Sequence, residues 1–194
     1  MTYFRDLSNY SYHSSGLCRP QATTILWLGL GHDVPNATPY RPGGTRNVGW
    51  LGFGHDFPKA MPTEEILDLI WEHCKISVAR MRGLHDCEFC PSSDCHEADK
   101  DGEKLLLGSS EIRVFSKEGS IYAAPNLIYH YISEHCYEPP GEFLRALREG
   151  PSPPSKDYFE RLERFGLEWN KTPAPIGKRR DFRLGRTAQD ESDR

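Results

Sequence analysis

The segment from His85 to His96 constrains the fold most, because it concentrates metal-binding side chains in a stretch unsuited to a regular helix. Its sequence, His-Asp-Cys-Glu-Phe-Cys-Pro-Ser-Ser-Asp-Cys-His, contains three of the six cysteines and two of the eight histidines. Cys87 and Cys90 are two residues apart, a spacing at which two thiolates from a tight turn can bind one ion. We therefore predict a metal-binding turn at residues 87–90, referred to below as the knuckle.

The chain after this segment offers the remaining ligands. Two β-prone stretches, 110–114 and 121–123, flank Lys-Glu-Gly-Ser and predict a hairpin. Pro125 suits the first turn of a following helix that runs to about Cys136 and carries His130 and His135. The two imidazoles would complete a tetrahedral Zn²⁺ site with the two thiolates of the knuckle. Since the histidines point in different directions on a regular helix, both can bind one ion only if the last turn is loosened.

Several alternatives to this ligand set remain open. His85 could replace either helix histidine, and Cys95 with His96 is a third option. A redox dithiol is disfavoured, because the Cys-x-x-Cys motif of that chemistry opens a helix, whereas Pro91 and polar residues follow Cys90 here. The plainest alternative is a set of unpaired thiols, with histidines that only satisfy hydrogen bonds in the core. A site with four protein ligands would be structural, while an open position holding water would make it catalytic.

The rest of the pattern predicts an α+β domain over residues 1–165. Thr63 is a natural N-cap for a helix with apolar residues at four-residue steps, which should end at Gly83. Residues 99–104 are expected to form a charged loop, and 142–148 and 158–165 two short helices. The last part, 166–194, lacks apolar periodicity and is predicted to be a disordered tail.

Composition limits the partners and the compartment. The net charge of −4 gives no reason to expect nucleic acid as the main partner. No apolar run approaches the length of a membrane span, and no secretory signal is recognised at the N-terminus. We therefore expect a cytoplasmic protein, whose cysteines in a reducing compartment are thiols or metal ligands rather than disulfides.

A near-duplication supplies further histidines. Residues 27–35 (Trp-Leu-Gly-Leu-Gly-His-Asp-Val-Pro) recur at 50–58 with seven of nine positions identical. His32 and His55, each followed by aspartate, could bind metal or act as a base, but such pairs in a glycine turn more often cap backbone groups. Glu111, beside the predicted hairpin, could approach the knuckle as a base or a supporting group; a solvated strand carboxylate is the simpler interpretation.

The chain also resembles an uncharacterised family of small bacterial proteins over about residues 1–148. The segments that carry the resemblance are Tyr-Phe-Arg-Asp-Leu-Ser-Asn-Tyr at 3–10, Asn-Val-Gly-Trp-Leu at 47–51, Gly-His-Asp-Phe-Pro at 54–58, Arg-Gly-Leu-His-Asp-Cys-Glu-Phe-Cys at 82–90, Gly-Ser-Ser-Glu-Ile-Arg-Val at 108–114 and Tyr-Ala-Ala-Pro-Asn-Leu-Ile-Tyr-His-Tyr at 122–131. No activity comes with the resemblance. By analogy it implies an accessory or immunity-type protein.

Two functions follow as expectations. The first is a non-catalytic, zinc-stabilised module that binds another protein, for example a toxin that it neutralises. The second is a zinc hydrolase with Cys87, Cys90 and a histidine as ligands, and with His55-Asp56 or Glu111 as the base. The non-catalytic module is the leading expectation of the two, because no complete catalytic set can be assembled from the sequence, and the hydrolase stays open as the alternative.

Overall fold

A five-stranded mixed sheet lies at the centre of the fold. The computed structural model describes residues 3–11, 44–91 and 96–175. The strands of this part of the chain are β1 (Thr45–Asn47), β2 (Ile76–Val78), β3 (Glu97–Lys100), β4 (Glu103–Leu106), β5 (Glu111–Phe115), β6 (Ile121–Pro125) and β7 (Trp169–Lys171). The helices are α1 (Glu64–Cys74), α2 (Ile128–His135), α3 (Gly141–Glu149) and α4 (Lys156–Arg164). The predicted α+β class is confirmed.

The strand order in the central sheet is β1-β6-β5-β2-β7. β1 runs parallel to β6, and the other neighbours are antiparallel. The β5–β6 pair, with Phe115 opposite Ile121, confirms the predicted hairpin. β3 and β4 form a separate two-stranded hairpin.

The two faces of β5 are covered by different parts of the chain. Ile112 and Val114 point into the main core, which also contains the apolar faces of α1, α2 and α3. Phe115, on the opposite face, packs with Tyr158 of α4. Because side chains alternate along a strand, Glu111 and Arg113 share this second face, where Arg113 Nη1 donates to Glu111 Oε2 at 2.6 Å.

Three predicted elements have different limits in the structure. α1 begins after Thr63, whose hydroxyl caps Ile66 N, but it ends at Cys74 rather than Gly83, since residues 76–78 pair with β5 and β7 as a strand. Pro125 ends β6, so α2 starts at Ile128. The expected charged loop 99–104 is instead the turn of the β3–β4 hairpin, in which Asp101 and Gly102 both have positive φ, as a tight hairpin turn requires.

The sheet continues past residue 165, the predicted limit of the domain. β7 pairs with β2 through Ile76–Lys171 and Val78–Trp169. A three-residue strand is too short to show periodicity, so the sequence did not reveal it. Residues 176–194, the remainder of the predicted tail, lie outside the described residues. None of the helices in the described ranges has the length and apolar character needed to cross a membrane.

Candidate metal centre

The knuckle is a tight turn attached to the neighbouring strand connection. The Cys90 N–H approaches the Cys87 carbonyl oxygen at 3.4 Å, which closes the turn. Just before it, His85 N donates to Gly108 O at 2.9 Å. Gly108 has φ of +85°, and a Cβ there would lie 2.8 Å from the His85 carbonyl oxygen. Only glycine permits this approach of the two backbones.

The C-terminal turn of α2 is wider than a regular α-helical turn. The N–H groups of Cys136 and Tyr137 both donate to the Tyr131 carbonyl, five and six residues back, instead of four. Cys136 adopts the left-handed conformation that ends the helix. In a regular helix, residues five apart differ by about 140° in direction. The widened turn brings the His130 and His135 rings together, as the sequence required.

Four side chains converge between the knuckle and α2. Their ligand atoms, from Cys87, Cys90, His130 and His135, all lie within 4.8 Å of one another. Cys87 Sγ is 3.2 Å from His135 Nε2, and Cys90 Sγ is 3.3 Å from the Nε2 atoms of both histidines. The two Nε2 atoms are 3.1 Å apart. Ligand atoms of a tetrahedral zinc site with sulfur and nitrogen donors are separated by about 3.3–3.8 Å, so these four could hold one metal ion.

The protonation chemistry of the cluster is suited to a cation. Burial lowers the pKa of both His130 and His135, which favours the neutral imidazole that binds metals. Burial raises the pKa of the Cys87 thiol to about 11. Such a thiol is a poor nucleophile, which weakens the redox-dithiol interpretation further. A bound cation would supply the charge that stabilises the thiolate at neutral pH.

Aromatic rings pack beside the cluster. Phe89, inside the knuckle, lies with its ring centroid 5.5 Å from that of His135 and 5.4 Å from that of Phe57. The Tyr131 ring also packs edge-on with Phe89, with the ring centroids 6.1 Å apart. Sequence reasoning did not single out Phe89, although its position between two candidate ligands was a signal that it would pack near them.

The other candidate ligands are placed differently. His85 is not part of the group of four, and its carbonyl oxygen is instead 3.1 Å from His96 Nε2. His96 Nε2 is also 3.2 Å from a carboxylate oxygen of Asp86. Cys95 lies outside the described residues.

The candidate bases do not form a catalytic arrangement with the cluster. The Glu111 carboxylate accepts hydrogen bonds from the Tyr10 hydroxyl at 2.9 Å and from Arg113, in a buried group on the sheet. The His55 ring stacks on Tyr3, with the ring centroids 3.7 Å apart. His32 and Asp33, together with the whole first copy of the repeat, are outside the described residues.

Together, the fold and the cluster define a small α+β protein whose two cysteines and two histidines lie close enough to hold one metal ion. Residues 2–148 match a family described as a domain of unknown function, DUF7919, and the chain belongs to this family. The matched region contains all four residues of the cluster and ends within α3, so α4 and β7 lie beyond it. No curated protein and no solved structure matches the chain.

Proposed function

We propose that the protein is a non-catalytic binding module stabilised by one structural Zn²⁺ ion held by Cys87, Cys90, His130 and His135. The observation that carries the proposal is the convergence of four ligand atoms within 4.8 Å. Two thiolates and two imidazoles are a typical donor set of structural zinc sites. Four protein ligands fill a tetrahedron and leave no position for a reactive water, so the hydrolase alternative has no support from the cluster.

The expected role of the ion is to fix two segments that are distant in sequence. The knuckle at 87–90 is a turn without a regular backbone ladder, and α2 has eight residues. Both are too short to be stable alone, and a shared ion would join them directly.

Exposed apolar side chains near the cluster support a role in protein binding. Among the described residues, three large hydrophobic side chains are exposed: Phe53, Met61 and Leu84. Phe53 N–H donates to Glu88 of the knuckle at 2.7 Å, and Met61 Sδ is 3.9 Å from Cys136 Sγ, next to His135. Leu84 is three residues before Cys87. Each of the three residues is thus connected to the knuckle or to the end of α2, and exposed apolar side chains that form a common patch are typical of a contact surface.

The proposed partner is another protein, and neutralisation of a toxin is one function that would use such a surface. Nucleic acid is not expected as a partner, because the net charge is −4. A cytoplasmic location is part of the same proposal, since a reducing compartment keeps Cys87 and Cys90 available as ligands.

Metal analysis and affinity capture test the two parts of the proposal. The full chain, purified without chelator, should contain about one zinc ion per molecule. The wild-type chain, used as bait, should capture a protein from a lysate of the source organism, and the Phe53→Ser variant should not. Lys156→Ser is the control and should still capture it, because this side chain in α4 is 90% exposed. Absence of zinc would refute the metal centre. Equal recovery with Phe53→Ser, or recovery of no protein, would refute the binding surface.

A further inference from the structure

A cleft of about 500 Å³ lies beside the loop that connects β1 to α1. Its walls come from the N-terminal residues 3–6, the loop residues 51 and 55–58, and residues 138–141 between α2 and α3. This volume is within the range of sites that bind ligands, about 300–1,000 Å³. Phe57 lines the cleft and also contacts Phe89 of the knuckle, so the cleft and the metal centre share a wall.

The cleft is held open by hydrogen bonds in its frame. Asp6 accepts from Gly49 N–H at 2.9 Å and from the Tyr137 hydroxyl at 2.7 Å, which ties the N-terminal segment to the residues just before each of the other two walls. Burial raises the pKa of Asp6, although these two hydrogen bonds act in the opposite direction. Glu138 N–H donates to the Pro58 carbonyl at 2.9 Å and joins the remaining two walls. The cleft is therefore formed before any ligand arrives.

The lining of the cleft combines apolar and aromatic side chains with exposed carboxylates. Tyr3 and Phe57 are half-buried, and Pro139 is buried. The carboxylates of Asp56 and Glu138 are exposed, and within the described ranges neither forms an ion pair or a hydrogen bond. Arg5 is the guanidinium group of the lining. The Phe57 ring already contacts a cation, because the Nζ atom of Lys59 lies 5.1 Å from the ring centroid. Apolar and aromatic lining beside unpaired carboxylates favours a ligand with an apolar stem and a cationic end.

We propose that this cleft binds an extended segment of a partner protein by taking up one of its arginine or lysine side chains. The stem of that side chain would lie against the apolar lining of the cleft, with its charged end at the carboxylates of Asp56 and Glu138. Arg5 would donate to main-chain carbonyl groups of the same segment. This inference rests on the proposed protein-binding function and identifies the chemistry of the contact.

The metal centre positions one wall of the cleft. Glu88 accepts from Phe53 N–H, and the Phe89 ring supports Phe57, so both contacts pass from the knuckle to the loop at 53–57. Loss of the ion would release the knuckle and, with it, this wall. Binding in the cleft should therefore require the metal-loaded protein.

A matched pair of peptides tests the proposal on the zinc-loaded full chain. The probes are the blocked tripeptides acetyl-Ala-Arg-Ala-amide and acetyl-Ala-citrulline-Ala-amide, which have nearly the same shape and differ in the charge of one side chain. Titration is followed by NMR shifts of the backbone amides at Arg5, Asp56 and Phe57. The arginine peptide should give saturable shifts with a Kd on the order of millimolar, and the citrulline peptide should bind at least about tenfold more weakly.

Exposed-site variants separate the cleft from the remainder of the surface. The double variant Asp56→Asn, Glu138→Gln should lose about tenfold in affinity for the arginine peptide, whereas Asp101→Asn, in the exposed β3–β4 turn, should not change it. No saturable shift with the arginine peptide, equal binding of the citrulline peptide, or full binding by the double variant would each overturn the proposal. Zinc content and the Phe53-dependent capture are measured on the same proteins. A negative peptide result with normal zinc content and capture would overturn the cleft proposal and leave the proposed binding module intact.

Discussion

Replacing Cys90 by serine removes one sulfur from the four-ligand cluster and leaves the backbone of the knuckle unchanged. The free energy of Zn²⁺ binding to a structural site is about 10–16 kcal/mol, which is about 3 kcal/mol for each of four ligands. Because 1.4 kcal/mol corresponds to a factor of ten, the affinity for zinc should fall about a hundredfold. At a fixed concentration of free zinc above both dissociation constants, this loss lowers the free energy of unfolding by about 2.7 kcal/mol.

The stability change is large enough to measure. For a chain of this size, 1 kcal/mol shifts Tm by about 2–4 °C, so Cys90→Ser should lower Tm by about 5–10 °C in buffered zinc. Competition with a chromogenic chelator gives the affinity. Cobalt substitution gives the ligand types, because each thiolate adds to the sulfur-to-metal charge-transfer absorption. The wild type should show the signature of two thiolates in a tetrahedral site, and the variant that of one.

Cys136→Ser is the matched control for this experiment. Cys136 follows His135 directly, but it is not among the four clustered residues. Its replacement should leave zinc affinity, cobalt spectrum and Tm unchanged. If Cys90→Ser binds zinc as tightly as the wild type, or if both serine variants lose the same affinity, Cys90 is not a ligand and the proposed centre is wrong.

Three further predictions test other parts of the structure. His85→Ala should retain zinc affinity, measured by the same competition assay, because its ring is outside the group of four; a hundredfold loss would restore it as a ligand. Gly49→Ala should lower the free energy of unfolding, measured by urea denaturation, by about 2–5 kcal/mol, because φ is +70° and the new Cβ would lie 2.8 Å from Ile128 Cδ1. A decrease below about 1 kcal/mol would contradict this geometry. Burial lowers the pKa of His73 to about 4, whereas the same group has a pKa of 6.5 in the unfolded state, so the unfolded state binds the proton more tightly. The free energy of unfolding should therefore decrease as the pH falls from 6.5 towards 4, by up to about 3 kcal/mol. Urea unfolding of His73→Phe over the same pH range should show a smaller loss; since the metal ligands titrate in both proteins, equal slopes would exclude His73 as the cause.

The local elements were predictable where one signal dominated. Thr63 with the following acids located the start of α1, and the Lys-Glu-Gly-Ser turn located the β5–β6 hairpin. The end of α1 was not predictable from periodicity. Val78 continues the four-residue spacing of the helix, yet it lies in β2, because pairing with β5 and β7 outweighs the local helical pattern. The Asp101-Gly102 turn, in contrast, carried a readable hairpin signal that the charge of residues 99–104 obscured.

The ligands of the cluster could be predicted only in part from the local sequence. The Cys-x-x-Cys spacing identified two ligands, because a tight turn fixes their separation. The choice among His85, His130, His135 and His96 depended on tertiary contacts, above all on the widened last turn of α2. The contacts of Glu111 likewise depended on the face of β5 and on Tyr10, which is distant in sequence.

The near-duplication shows which residues suit the segment 47–58 to its place at the sheet edge. Aligned on their tryptophans, the two copies place Leu26 opposite Gly49 and Thr24 opposite Asn47. At Gly49 a side chain would meet Ile128 of α2, and Asn47 is fully buried, with its amide donating to Ser8 Oγ and the Asn9 carbonyl, both at 3.1 Å. A leucine has no room in the first position, and a threonine has no amide group for the second. The sequence of residues 24–35 is therefore unsuited to the place that residues 47–58 occupy, despite seven identities in nine positions. Since this loop also forms one wall of the cleft, Asn47 and Gly49 help to hold His55 beside Tyr3.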